Sequence, residues 1–225
     1  MAPPWSAAGV RSKLWDGPVR LVHWSLVALI AFAWWSAKDH LEWHRWSGYA
    51  ILGLLAFRIW WGFVGGGAAR FSSFVKGPRA TLAYLRSLRQ RSAPEAPGHN
   101  PLGAWSVLAI LAMIGVQVVS GLFAVDVDGL ESGPLSDRVS FEVGRQFARA
   151  HHLSFQALQA LVVLHLAAIA FYLLYKRTDL VGPMITGRKR FSVDPGLADA
   201  PSWRIAAGVV GAAALAWFAS KGFRL

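Results

Sequence analysis

The chain has 225 residues, 55% of them hydrophobic, with 12 tryptophans and a formal charge of +11, a composition that points to a one-domain membrane protein rather than an ordinary soluble fold. It contains no cysteine, which excludes disulfides, iron–sulfur clusters and haem attached through a CxxCH motif. Nucleic-acid binding is excluded by how the charge is distributed. Residues 66–100 hold six Lys/Arg against one acid and residues 126–149 hold three against five, the alternation of loops on opposite sides of a membrane.

In chain order, residues 1–14 are polar, and WDGPVR leads into a first apolar run at about 19–37, with Pro18 where a missing amide is harmless. The following WWSAKDHLEWHRW is a poor cleavage site for a secretory signal, so this run is read as a retained helix. Lys38 to Trp43 reverse the chain into a second run at about 44–64, which the glycines of GFVGGGAARF end. In the basic segment KGPRATLAYLRSLRQR, Leu82, Leu85 and Leu88 recur at helical spacing between arginines. That pattern fits either a short helix on an anionic cytoplasmic leaflet or a solvated loop. Pro101 opens a third run, about 102–125, in which Gly103, Gly115, Ser120 and Gly121 permit close approach. An acidic loop, 126–149, precedes a fourth run at about 150–175. A fifth, about 205–220, lies between Arg204 and Lys221 and is read as a membrane helix, with an interfacial helix as the alternative.

Each of the first four runs is near the ~20 residues needed to cross a hydrocarbon core about 30 Å thick. The expectation is an all-α integral membrane four-helix bundle with a fifth, C-terminal transmembrane helix. Residues 1–190 form the core domain and 191–225 an extension. The charge pattern places the N-terminus, 66–100 and 176–204 in the cytoplasm and the loops 38–43 and 126–149 outside.

The fourth run begins AHHLSFQALQALVVLHLAA, and ionisable groups are unfavourable to bury in a bilayer. His151 and His165 are 14 residues apart; at 100° and 1.5 Å per residue they share one helix face at depths differing by ~21 Å. His152 points about 140° away from His165. A separation of ~21 Å is too long for one metal ion but suits two planar macrocycles stacked across the membrane, each needing a second axial ligand. His23, near the cytoplasmic start of the first run, matches His165 in depth, and His44, at the outer start of the second, matches His151. Two bis-histidine pairs follow: His44 with His151 outside and His23 with His165 inside. His40 lies beyond the membrane edge, and His99, in GHNPLGAW, reads as a polar contact or helix cap.

Haem propionates need cationic partners. Arg20, one turn before His23, and Arg58, 14 residues after His44 and so at inner depth, are candidates, with snorkelling to the cytoplasm as the alternative for Arg58. Arg45, Arg145 and Arg149 either meet the outer propionates or face solvent. Gly48, one turn from His44, removes a side chain where a ring plane would lie, although helix packing would also explain it. The tryptophans near the span ends form an interfacial belt.

At RLVHWSLV, HRWSGYAILGLLAFRIWWGFVG, GHNPLGAW and AHHLSFQALQALVVLHLAA the chain resembles the prokaryotic cytochrome b561 family, which includes the cytochrome b-type subunit of nickel–iron hydrogenases, over roughly residues 14–190. The resemblance implies a bacterial inner-membrane protein whose four-helix core binds two b-type haems through His23, His44, His151 and His165. It also implies electron transfer between a redox partner, such as a periplasmic c-type cytochrome or a hydrogenase, and quinone or another acceptor. His152 departs from the pattern, standing where an acid often follows the ligand histidine. Three other readings remain at this level. A quinone- or superoxide-reacting oxidoreductase on the same scaffold would turn over alone, a histidine-lined divalent-metal transporter would be colourless, and a passive membrane anchor would tolerate loss of the histidines.

Overall fold

The computed structural model describes residues 9–91, 98–126 and 131–224. Parts of three segments read from sequence, 1–8, 92–97 and 127–130, and the terminal Leu225 lie outside the described residues. A short strand β1, Val10–Lys13, is followed by helices α1, Gly17–Ser36, and α2, Leu41–Val64. Two short helices, α3, Phe71–Phe74, and α4, Pro78–Ser87, precede the long pair α5, Pro101–Phe123, and α6, Phe141–Leu174. The chain ends with α7, Val181–Thr186, strand β2, Arg188–Phe191, and α8, Ser202–Ser220. Five of these helices, α1, α2, α5, α6 and α8, are long and apolar enough to cross a membrane, as the all-α reading requires.

Local chemistry starts the helices. Asp16 caps α1 by accepting from the Val19 amide at 2.9 Å, and its other carboxylate oxygen accepts from Trp61 Nε1 at 2.8 Å, so one side chain ties the start of α1 to the inner end of α2. Asn100 caps α5 through the Gly103 amide at 2.8 Å. His99 therefore does not serve as that cap. Ser140 caps α6 through the Val143 amide at 3.4 Å, with Glu142 in the first turn. This N-terminus corrects the reading of 126–149 as loop throughout. FEVGRQFARA carries too many charges to register as a span, yet it contains good helix formers and continues α6 outward. At 34 residues the helix is about 51 Å long, well beyond the hydrocarbon core.

The basic segment forms helix α4, with Leu82 and Leu85 exposed on it, so of the two sequence readings the helix is the one observed. The two-stranded antiparallel sheet, Val10 paired with Phe191 through Lys13 with Arg188, has no precedent in the sequence reading. It joins the residues before the first span to those after the fourth. Leu14 and Trp15 amides continue the junction by donating to the Gly187 carbonyl at 2.8 and 3.2 Å.

Close helix packing runs from α1 to α2, α2 to α5, α5 to α6 and α2 to α8. Among the described residues, α6 makes no comparable approach to α1 or α2, so it stands off from the helices that carry His23 and His44. Helix α8 lies along α2 in the opposite direction. At its start Arg204 donates to the Val64 carbonyl at 2.8 Å and accepts from Trp60 Nε1 at 3.0 Å; beyond its end Arg138 of the acidic segment reaches the Gly222 carbonyl at 2.7 Å and Arg224 pairs with Asp137. These contacts place the two ends of α8 at opposite ends of the bundle, the arrangement of a spanning helix rather than an interfacial one.

Candidate functional site

The structure brings His44 and His151 face to edge, ring centres 5.9 Å apart and planes at 81°. Each ring is fixed from behind. His44 Nδ1 lies 2.8 Å from the Ala33 carbonyl oxygen of α1, and His151 Nδ1 lies 2.8 Å from the Gln117 carbonyl oxygen of α5. A carbonyl only accepts, so in both rings Nδ1 carries the proton and the Nε2 lone pair is the basic one. The same second-sphere hydrogen bond orients a metal-bound imidazole and raises its basicity. His151 sits flush on α5 because Gly121 faces it: a β-carbon there would meet the ring at 2.8 Å. At Gly48 a β-carbon would meet nothing within 4 Å, which leaves the surface beside His44 open one turn on.

His152 is exposed, and its Nε2 pairs with Gln156 Nε2 of its own helix at 3.1 Å. His40 is also exposed and stacks on Trp43, ring centres 4.8 Å apart. Neither turns toward His44 and His151. Around the outer pair, Arg45 meets Glu131 at 3.2 Å, and Arg145 reaches the Val125 carbonyl at 3.5 Å.

At the other end of the bundle, His23 and His165 lie close enough to interact electrostatically, and both act on His99. His23 Nδ1 is buried and, among the described residues, has no hydrogen-bond partner. Arg20, one turn before it, donates through Nη1 to the Ile185 carbonyl at 2.5 Å, while its Nε is buried without a partner. Arg20 Nε is thus an unpaired buried donor one turn from His23 on α1, where it would suit an anionic acceptor. Arg58 is 6% exposed, donates to the Ala69 carbonyl at 3.5 Å and lies over the Phe71 ring at 5.1 Å. It is held inside the bundle, not extended along the surface to the cytoplasm.

His99 was legible only as a polar residue ahead of the third span. It packs against Trp15 and Phe74, ring centres 4.8 and 5.0 Å away. Surrounding protein pushes its pKa down to about 3, with burial the main cause and Arg58, His165 and His23 acting in the same direction. A neutral imidazole can stand beside the buried Arg58 without charge repulsion.

Sequence reasoning missed Gln117, Ser154 and Asp16. Gln117 is a lone amide in an apolar helix, and an isolated polar side chain inside a membrane is itself a signal. Its partners are on α6, 34 and 37 residues away, a separation that helical periodicity cannot read.

Among the described residues no three His, Asp or Glu side chains converge to hold a metal ion. No curated protein and no solved structure matches the chain. The family model for prokaryotic cytochrome b561 matches residues 14–187, a stretch that contains His23, His44, His151 and His165 together with Arg20, Gly48 and Arg58. By that match the chain belongs to the prokaryotic cytochrome b561 family, membrane b-type cytochromes that bind haem and transfer electrons.

Proposed function

We propose that this chain carries two non-covalent b haems and moves single electrons across the bacterial inner membrane, between a redox partner at the outer face and quinone or another acceptor. His44 and His151 hold the outer haem, and His23 and His165 the inner one. The partner is a protein of the c-type cytochrome or hydrogenase kind, and the N-terminus is cytoplasmic.

The facing of His44 and His151 carries the proposal. Two imidazoles bound to one metal at about 2 Å each have their ring centres roughly 6 Å apart, and the observed separation is 5.9 Å. The stand-off of α6 from α1 and α2 accommodates flat groups between the histidine-bearing helices. Held by two imidazoles, a haem would supply reversible one-electron chemistry. The protein's part is to orient the ligands, exclude water and neutralise the propionates. Arg20 and Arg58 take the last role at the inner haem, and the open surface at Gly48 admits the edge of the outer one.

The paired arrangement disfavours a divalent-metal transporter, because a closed site for such an ion draws three or four ligands together. Transmembrane transfer is tested in proteoliposomes that enclose ferricyanide and are reduced from outside with dithionite. Enclosed ferricyanide is expected to bleach with the intact protein, and to fall to the protein-free leak when either His165 or His44 is replaced by alanine. Bleaching that persists in both variants would contradict a path through two haems.

A further inference from the structure

His151 is gripped from both of its ring nitrogens by a single residue. Its Nδ1–H donates to the Gln117 main-chain carbonyl at 2.8 Å, while the Gln117 side-chain amide donates to Nε2 at 3.0 Å. The side chain is itself clamped, because Ser154 Oγ, one turn along α6 and 6% exposed, donates to Gln117 Oε1 at 2.5 Å. These bonds determine one another. The main-chain carbonyl requires the proton on Nδ1, so Nε2 can only accept and the amide NH2 faces it, which turns the amide oxygen to Ser154, whose hydroxyl also lies 3.1 Å from the His151 carbonyl. His44 differs: its Nδ1–H is held by Ala33, and among the described residues no amide bonds its Nε2.

Resting on the bis-histidine reading above, we propose that Gln117 is the positioning residue of the outer ligand pair, a latch that presets the His151 tautomer and occupies its lone pair until iron takes its place. One lone pair takes one partner, so an N–H···N hydrogen bond and an Fe–N bond exclude each other at Nε2. The exchange transfers neither a proton nor an electron, since Nδ1–H stays on its carbonyl throughout. The latch also keeps a buried lone pair from standing unpaired, which would be unfavourable in a dry bundle. The main-chain half of the grip remains when iron binds, as the second-sphere acceptor.

Releasing the lone pair from a hydrogen bond of ordinary strength should tighten haem binding at the outer site about fivefold. The test uses the full-length chain in detergent, depleted of haem and titrated with haemin in a His165→Ala background, so that only the outer site is filled. Gln117→Met keeps the length of the side chain and removes the donor, and Ser154→Ala frees the amide from its clamp. Half-saturation is expected at about fivefold lower haemin for Gln117→Met and at an intermediate value for Ser154→Ala. Unchanged or weaker binding in Gln117→Met would overturn the latch.

A second readout does not involve haem. In the haem-depleted chain labelled with 15N-histidine, the His151 ring should report an Nδ1–H tautomer with an Nε2 shifted by hydrogen bonding, and that shift should vanish in Gln117→Met. An Nε2–H tautomer would overturn the proposal. If the expected ring signals appear but haemin does not bind the parent chain, the haem-ligand reading fails and the grip stands.

Discussion

Replacing either His44 or His151 by alanine is expected to remove the same haem, leaving one per chain and roughly half of the reduced-minus-oxidised α-band. The equivalence of the two variants is the informative part, because the residues are on α2 and α6, two helices that do not pack closely on one another. A bis-histidine haem does not survive on one ligand in an apolar site, so each single replacement should act like the pair, and the double variant should lose no more than either alone. Both should also lower thermal stability, since ligation adds its free energy only to the folded state. His152→Ala should keep both haems, because that ring is exposed and turned to Gln156. Loss of a haem in His152→Ala but not in His151→Ala would overturn the pairing.

His23→Ala and His165→Ala should remove the other haem, and the spectrum that remains should be the one missing from the outer variants. The two difference spectra should therefore add up to that of the parent protein. The inner haem should also depend on Arg58. A buried guanidinium favours the reduced haem over the oxidised one, which carries one more positive charge, so Arg58→Met should lower the inner midpoint potential and leave the outer one in place. Redox titration of the α-band separates these effects. A shift confined to the outer haem would contradict the assignment of Arg58 to inner depth.

The approach of His44 to His151 was legible in the sequence because helix geometry converts residue number into depth and direction. Fourteen residues from His151 to His165 fix a common face, and the same count from His44 to Arg58 carries that depth scale to the second helix. The spans were legible for a similar reason, each being a run of apolar residues about as long as the membrane is thick. Other features are non-local and left no such trace. The outer extension of α6 is helical but charged, so hydropathy reads it as loop. The β1–β2 pair joins four-residue strands from opposite ends of the core, too short to declare themselves by alternation. Asp16 went unread, and only the fold shows that it caps α1 and holds Trp61. Arg58 reads equally well as a snorkelling cation until Ala69 and Phe71 are seen around it.

The claim on which all of this depends is that one chain holds two b haems. Haem quantified per polypeptide as the pyridine haemochrome, together with a reduced-minus-oxidised spectrum of the purified membrane protein, tests it most directly. Two non-covalent b haems per chain are expected, both low-spin and both lost on acid–acetone extraction. A colourless protein, or one that saturates at a single haem, would contradict it.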